Sequence, residues 1–282
     1  MIIQQALKEA TVQLSKVSES ASLEASMLLT HVTGLSKVDL FLKENETLLE
    51  ADYQQFKVLV ERRLKHEPMA YIVGEKEFWG LNFDVAPGVL IPRPDTETLV
   101  ATLLALIPDA DFKGRVADLG TGTGAILLSI LSELTQFQGV GVDMNDTALD
   151  LAQKNAEKLG LSGRVQLKKS HWLDNVDETF HVIVSNPPYI ETSTIQTLME
   201  DVKGFEPMSA LDGGEDGLDC YRSLLESAYD KLEPGGLLLL EIGYNQRQTV
   251  AHLLQNKFTK VECFKDLAGN DRVLAAIKAH EE

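Results

Sequence analysis

Apolar side chains in the first 70 residues recur every three or four positions, which is the spacing of amphipathic helices. The clearest series are Ile3, Leu7, Ala10 and Leu14; Ala21, Ala25, Leu28 and Val32; and Tyr53, Phe56, Val60 and Leu64. We therefore predict a small N-terminal helical bundle over residues 1–72. Two interpretations of this bundle stay open, a folding accessory and a substrate-recognition domain.

After the bundle the pattern becomes short and alternating, at residues 71–74 and 81–85 with Gly80 between them. Alternating segments around a glycine are typical of a β-hairpin, so residues 73–90 are predicted to form a hairpin linker.

From about residue 90 strand and helix patterns alternate, which predicts an α/β domain over residues 91–282 with a parallel sheet and helices on both faces. The predicted strands cover residues 116–119, 139–142, 165–168, 182–185, 237–242, 260–264 and 273–277.

A glycine-rich loop follows the first of these strands and opens a helix. Its sequence is Asp118-Leu119-Gly120-Thr121-Gly122-Thr123-Gly124. Open α/β sheets bind ligands at this place, and glycines allow a close backbone approach and positive φ angles. The next strand ends in Asp143, whose carboxylate can accept hydrogen bonds from ribose hydroxyls. Loop and acid together predict a nucleoside-binding unit.

The spacing of the glycines distinguishes between two cofactors. Dinucleotide sites favour G-x-G-x-x-G, because the pyrophosphate lies on the helix N-terminus. Here the glycines follow G-x-G-x-G behind Asp118, which suits a ligand with an amino group and no phosphate. We therefore predict S-adenosylmethionine as the cofactor and S-adenosylhomocysteine as its product. A P-loop is excluded, because the chain lacks G-x-x-x-x-G-K-[ST].

The apolar strand at residues 182–185 runs directly into Asn186-Pro187-Pro188-Tyr189. Because prolines fix φ and prevent sheet pairing, this tetrapeptide is predicted to form a rigid corner. A planar amide nitrogen is a poor nucleophile, since its lone pair is delocalised. The Asn186 side-chain oxygen and the Pro187 carbonyl can each accept one of its N–H groups, while Tyr189 stacks on its flat face. These three residues are the predicted catalytic residues; a structural loop and a polyproline ligand are the alternatives.

Composition narrows the possible functions. A net charge of −17 opposes attraction to phosphates, so a nucleic-acid duplex is disfavoured as substrate. The apolar runs are far shorter than the roughly 20 residues that cross a bilayer. The first residues also lack an export signal, so a cytoplasmic protein without membrane contact is predicted. Cys220, Cys263 and the scattered histidines lack metal-ligand spacing, so no metal is expected.

The chain resembles the HemK/PrmC family, the methyltransferases that act on the glutamine of peptide chain release factors, over essentially its whole length. The resemblance rests on a combination of motifs: IPRPDTE at 91–97, DLGTGTG at 118–124, NPPYI at 186–190, FEP at 205–207, DGGEDGL at 212–218 and DRV at 271–273. Asn-Pro-Pro-Tyr alone does not separate protein substrates from nucleic-acid substrates.

The resemblance implies a class I, Rossmann-like methyltransferase fold with a seven-stranded, mostly parallel sheet. It implies the glutamine of a Gly-Gly-Gln motif in class 1 release factors as the methyl acceptor. The implied cofactor contacts are Gly120, Thr121, Gly122, Thr123, Gly124, Asp143, Trp172 and Asn186. The implied substrate contacts are Asn186, Pro187, Pro188 and Tyr189. A monomer without direct nucleic-acid binding is expected.

The segment that carries Arg93 and Glu97 has two interpretations. Both residues could belong to the site near the cofactor. Equally, Asp95 or Thr96 could cap the following helix, with Glu97 in its favourable first turn.

Two further features have open roles. Family members often place an acidic residue just before the tryptophan near adenine, whereas His171 precedes Trp172 here. That change puts an acidic contact to adenine in doubt. Residues 212–217 are interpreted either as a flexible acidic loop beside the site or as a solvated turn.

Two alternative functions compete with release factor methylation. The first is methylation of exocyclic amines of adenine or guanine in RNA or DNA, which uses the same tetrapeptide; the negative charge and the flanking motifs disfavour it. The second is a non-catalytic adaptor that binds release factors or ribosomes through the helical domain. The intact glycine loop, together with Asn186 and Tyr189, disfavours the adaptor.

Overall fold

The computed structural model describes residues 1–107, 112–255 and 257–280. This part of the chain divides into two compact units. The first consists of residues Met1–Glu75 and Met199–Phe205, and the second of Lys76–Leu198 and Glu206–Glu282. The short segment at 199–205 belongs to the first unit because of its tertiary contacts, which no local sequence pattern indicates.

The first unit is helical. Its helices in the N-terminal segment are α1 (Ile3–Leu14), α2 (Ala21–Thr33), α3 (Lys37–Leu42), α4 (Glu50–Leu64) and α5 (Met69–Val73). The three helices predicted from apolar spacing are confirmed as α1, α2 and α4.

The prediction of a first hairpin segment at residues 71–74 is wrong, because residues 71–73 lie in α5. Pro68 precedes this helix, and Gly74 ends it with a left-handed φ of 81°. The short apolar run therefore forms a single helical stretch, whose length was too small for its periodicity to be recognised.

One ion pair lies inside the helical unit. Arg63 Nε donates to Glu24 Oε2 over 2.9 Å and Arg63 Nη2 donates to Glu24 Oε1 over 3.2 Å, a bidentate pairing between α4 and α2. The side chains are only 8% and 12% exposed. Burial of both charges makes each depend on the other, because an isolated buried charge is strongly unfavourable.

The second unit contains the predicted sheet. Its described strands are β3 (Arg115–Leu119), β4 (Gln138–Asp143), β5 (Val165–Lys169), β6 (Phe180–Ser185), β7 (Leu232–Glu241), β8 (Phe258–Lys265) and β9 (Asp271–Lys278). They form one seven-stranded sheet in the order β5-β4-β3-β6-β7-β9-β8. Among these described strands β9 runs in one direction and the other six run in the opposite direction. All seven strand predictions and the α/β fold class are confirmed.

Helices complete this architecture. They are α6 (Glu97–Leu106), α7 (Ala125–Glu133), α8 (Asp146–Lys158), α10 (Asp219–Lys231) and α11 (Arg247–Gln255), and the short α9 (Glu200–Lys203) lies in the first unit. Two apolar clusters form the cores, one including Tyr221 and Leu224 of α10 and the other Leu99 and Leu103 of α6. The sheet supplies residues to both clusters, so it is buried on its two faces, as parallel sheets require.

The predicted hairpin is present, with strands β1 (Glu75–Phe78) and β2 (Leu81–Asp84). Phe78 and Phe83 meet edge to face at 6.2 Å between ring centroids and belong to the α6 core cluster. Within the described residues, no helix has the length and apolar character needed to cross a membrane.

We expect Glu24→Ala to lower the free energy of unfolding of the full chain's helical unit by about 3–5 kcal/mol, because it leaves the buried Arg63 guanidinium uncompensated. Urea unfolding followed by circular dichroism measures this change. Glu61→Ala, at an exposed position of α4, is the control and should change stability by less than about 0.5 kcal/mol. Equal stability of the two variants would contradict this role of the ion pair.

Candidate functional site

Parallel pairing places several predicted site residues at one edge of the sheet. Leu119 is paired with both Val142 and Ser185, and Ser185 is paired with Leu240. The chain therefore leaves neighbouring strands at the same level. The residues that follow these paired positions are Gly120, Asp143, Asn186 and Glu241. The glycine loop, the acid and the tetrapeptide are thus brought together at the carboxyl edge, where open α/β sheets bind ligands.

The glycine loop is held by the adjacent strand. The backbone N–H groups of Gly120 and Thr121 both donate to the Val142 carbonyl over 2.9 Å. Gly120 and Gly122 have φ angles of 72° and 56°, a region that favours glycine. The loop therefore exposes backbone at a fixed position between β3 and α7.

Gly124 serves helix packing. A Cβ added there would lie 3.3 Å from the Ala152 Cβ of α8. This glycine, which has a φ of 80°, lets the start of α7 approach α8 closely. Thr123 nearby is buried, and its carbonyl accepts from Asn155 Nδ2 over 2.9 Å.

Asp118 lies buried beneath the loop. Thr121 Oγ1 donates to its Oδ2 over 2.7 Å, whereas Oδ1 has no hydrogen-bond partner within the described residues. Burial, assisted by the neighbouring charge of Asp143 and opposed by the hydrogen bond from Thr121, raises the pKa of this carboxyl to about 7. A buried carboxyl with an unpaired oxygen fits a ligand that brings a positively charged amino group.

Asp143 ends β4 with a fixed side chain. Its Oδ2 accepts from the Gly122 backbone N–H over 3.0 Å, and its Oδ1 accepts from Asn145 N–H over 2.9 Å. Each carboxylate oxygen has two lone pairs, so both can still accept from a ribose hydroxyl. The acid therefore links the cofactor loop to the start of α8.

Trp172 has an unusual backbone for a large residue, with a φ of 47°. Its Nε1 donates to Ser223 Oγ over 2.9 Å, and the ring packs on the α10 core cluster. His171 beside it is exposed, with Nδ1 3.2 Å from Asp174 Oδ2. Trp172 is thus anchored by α10, and the histidine faces solvent.

The tetrapeptide corner is held through side chains from distant segments. Asn186 Nδ2 donates to Thr96 Oγ1 over 3.2 Å, and Tyr189 Oη donates to Glu241 Oε1 over 3.3 Å. Thr96 is the residue before α6, yet its side chain makes no capping hydrogen bond. The capping interpretation of Thr96 is therefore wrong, because the buried hydroxyl is used by Asn186.

Glu241 is a residue of this corner that the sequence analysis did not name, and the contact of Thr96 with Asn186 was not predicted either. Glu241 is 1% exposed, and burial raises the pKa of its carboxyl to about 7. The hydroxyl of Thr96 and the charge of Arg272 act in the opposite direction. The sequence does contain an indication of this residue, because a glutamate directly follows the leucine run 237–240 at the end of a predicted strand.

The loop at residues 212–217 packs behind the tetrapeptide. Gly213 N–H donates to the Ile190 carbonyl over 2.8 Å, and Ile190 N–H donates to the Leu211 carbonyl over 3.0 Å. Gln246 Nε2 donates to the carbonyls of both Tyr189 and Gly217, over 3.0 and 3.1 Å. This hydrogen bonding favours a supporting role for the loop over a solvated turn.

Arg93 and Glu97 make structural contacts. Arg93 forms an ion pair with Glu206, which is buried and also accepts from the Ile91 N–H over 3.2 Å. Glu97 lies in the first turn of α6, and its Oε1 accepts from the Trp79 N–H over 2.9 Å. The motifs around Arg93 and Glu206 therefore hold each other in place.

The sheet order and the edge that carries the glycine loop, the acid and the tetrapeptide define a class I methyltransferase. Family models agree: "Methyltransferase small domain" matches residues 93–202 and "PrmC N-terminal domain" matches residues 5–74. A solved methyltransferase structure from Pyrococcus furiosus has a TM-score of 0.52 at 21% identity, covering 80% of this chain and 98% of that one. This likeness supports the fold.

Sequence relatives are more specific. The release factor glutamine methyltransferase of Agrobacterium fabrum is 41% identical over 255 residues, which are 89% of this chain and 88% of that protein. The release factor glutamine methyltransferase of Neisseria gonorrhoeae is 42% identical over 261 residues, which are 91% and 93%. The chain belongs to the release factor glutamine methyltransferase family.

Gly213→Ala is expected to lower methyl-transfer turnover by up to about a hundredfold, because a displacement of about 1 Å in a segment that positions a substrate can have that effect. The added Cβ would lie 2.8 Å from the Tyr189 Cα and 2.9 Å from the Pro188 carbonyl oxygen, so backbone must move. Steady-state assays of methyl transfer measure the effect. Gly163→Ala, where nothing lies within 4 Å of the new Cβ, is the control. Equal turnover in both variants would show that the loop does not support the corner.

Proposed function

We propose that this chain transfers a methyl group from S-adenosylmethionine to the side-chain amide nitrogen of the glutamine in the Gly-Gly-Gln motif of class 1 release factors. The observation that carries this proposal is the identity of 41% and 42%, over about nine-tenths of the chain, to proteins named release factor glutamine methyltransferase. The placement of Asn186 beside the glycine loop is consistent with it.

The proposed cofactor contacts come from the carboxyl edge of the sheet. They are Gly120, Thr121, Gly122, Thr123, Gly124, Asp143, Trp172 and Asn186. We assign the unpaired Asp118 oxygen to the amino group of the cofactor and the Asp143 carboxylate to its ribose hydroxyls. When bound, S-adenosylmethionine supplies an electrophilic methyl group on a sulfonium.

The proposed substrate contacts come from the tetrapeptide Asn186-Pro187-Pro188-Tyr189. Asn186 Oδ1 and the Pro187 carbonyl each accept one N–H of the glutamine carboxamide, which directs the nitrogen lone pair away from the corner. Tyr189, whose hydroxyl is tied to Glu241, presents its ring to the flat amide face. In this scheme the corner fixes the nucleophile, and no strong base is needed for attack.

The other expectations fit a modifier of translation termination. A cytoplasmic monomer that recognises release factors, with the helical unit as a recognition element, agrees with the charge of −17 and with the identity to the release factor glutamine methyltransferases. The division into residues 1–72, 73–90 and 91–282 and the absence of direct nucleic-acid binding belong to this proposal.

Asp118→Asn should weaken S-adenosylhomocysteine binding about 10- to 100-fold, as expected for loss of a charge-assisted hydrogen bond of about 1.5–3 kcal/mol. The ionised carboxyl pairs with the ligand's ammonium, and its pKa in the free protein is about 7. Affinity of the unaltered protein should therefore increase as pH rises through about 7 and level off above it. Isothermal titration calorimetry at several pH values measures both effects.

Asp150→Asn, at an exposed position of α8, is the control for that experiment. It should bind S-adenosylhomocysteine with unchanged affinity and unchanged pH dependence. If the pH dependence persisted in Asp118→Asn, the assignment of the amino group to this carboxyl would be wrong.

We expect Asn186→Ala to lower turnover by about two to three orders of magnitude, the usual effect of losing one preorganised polar contact. The assay incubates the protein with S-adenosylmethionine carrying a labelled methyl group and, separately, with a release factor or with RNA and DNA. Label on the release factor glutamine supports the proposed function. Label on nucleic acid would favour exocyclic amine methylation, and absence of label everywhere would favour the adaptor.

A further inference from the structure

The side-chain amide of Asn186 has to be oriented before it can accept a hydrogen bond from a substrate. Its oxygen and its NH₂ group have nearly the same shape, so packing distinguishes them poorly. Only a neighbour that selects one of them fixes the orientation. In this protein the neighbour is Thr96 Oγ1, which accepts from Asn186 Nδ2 over 3.2 Å. The oxygen Oδ1 is consequently turned away from Thr96.

A threonine hydroxyl does not by itself select the NH₂ group, because it can donate or accept. Its single proton has to be committed elsewhere before it can act only as an acceptor toward Asn186. The side chain of Thr96 is buried, so solvent does not provide that partner. The acceptor that the strand register places beside Asn186 is the Glu241 carboxyl, because Glu241 and Asn186 follow the paired residues Leu240 and Ser185 on neighbouring strands. The Thr96 hydroxyl acts to lower the pKa of that carboxyl.

Glu241 has the properties of such a proton acceptor. Its Oε1 accepts from Tyr189 Oη, and its buried Oε2 has no hydrogen-bond partner among the described residues. The Glu241 side chain is 1% exposed, so solvent is not available to donate to Oε2. A hydrogen bond to this oxygen has to come from another group of the protein. The positive charge of Arg272 lowers the pKa of Glu241, and the negative charge of Asp95 raises it.

We propose that Glu241 and Thr96 are positioning residues which set the orientation of the Asn186 carboxamide, with the carboxyl accepting the threonine proton and the threonine oxygen accepting from the amide. The same carboxyl holds the Tyr189 hydroxyl, so one buried acid orients both ends of the tetrapeptide. This inference rests on the proposed methyl transfer to glutamine and adds the groups that determine its geometry.

The first test compares Thr96→Val, which keeps the shape and removes the hydroxyl, with Thr96→Ser, which keeps the hydroxyl. Turnover at saturating substrates should fall about 10- to 100-fold in Thr96→Val, with a smaller change in KM, and should return to within about threefold of wild type in Thr96→Ser. Thermal unfolding confirms that each variant is folded, and Thr96→Ala substitutes for Thr96→Val if the valine prevents folding. Equal turnover in folded valine and serine variants would overturn the proposal.

A double-mutant cycle tests whether Thr96 acts through Asn186. In an Asn186→Ala background, Thr96→Val should change turnover by less than about threefold, because the group that it positions has been removed. A further loss of tenfold or more would show that Thr96 acts independently and would contradict the relay. Glu241→Gln combined with Thr96→Val should lower turnover by less than the product of the two single effects, because the part that acts through Thr96 is already lost while the part that acts through Tyr189 remains.

A spectroscopic test does not depend on activity. The Asn186 side-chain ¹⁵N–¹H signals, assigned by their loss in Asn186→Ala, should shift in Thr96→Val and in Glu241→Gln and return in Thr96→Ser. Signals that stay in place in the valine and glutamine variants would overturn the inference. If these signals shift while wild type leaves the release factor unlabelled, the relay stands and the proposed function fails. If wild type labels the factor and the signals do not move, only the relay fails.

Discussion

The register of the parallel strands is the constraint on which the site depends. Leu119 is level with Val142 and Ser185, and Ser185 is level with Leu240, so four successive strand ends meet at one edge. A slip of one residue would reverse the direction of every side chain in the strand concerned. The apolar residues of β6 face the two core clusters, and this burial makes such a slip unfavourable. The positions of the loop, the acid and the corner are therefore consequences of core packing.

Two buried carboxyl groups work against stability at the same edge. The pKa values of Asp118 and Glu241 are each raised to about 7 by burial, from ordinary values of 3.8 and 4.5. The folded state thus holds these protons more tightly than the unfolded chain does. Below the ordinary pKa values of 3.8 and 4.5 the protonated groups make their full contribution to stability. This contribution is lost as pH rises through about 7, the pKa in the folded protein. Near neutral pH both acids are unfavourable for folding, a cost typical of functional sites.

The fold could be predicted from the sequence because periodicity reports which faces are buried. All seven strands of the sheet, three helices of the first unit and the sites of the glycine loop and the tetrapeptide follow from local pattern. The segment at 71–73 was predicted incorrectly, because five residues of helix between Pro68 and Gly74 give no clear period. The contacts of Thr96 and Glu241 were not predicted for another reason, because their partners lie 90 and 52 residues away in the chain. Such contacts appear only when the strand register is known.

The chemical identity of Asn186 also follows from its neighbours. Across the proposed relay, a carboxylate accepts, a hydroxyl donates inward and accepts outward, and an amide donates to the hydroxyl through Nδ2. An aspartate at position 186 would offer only acceptors, and the hydroxyl proton of Thr96 would have to serve two carboxylates. A carboxamide can donate toward Thr96 through Nδ2 and still accept from a substrate N–H through Oδ1. The hydrogen-bond polarity of the proposed relay therefore favours asparagine over aspartate at the position where a glutamine carboxamide is to be held.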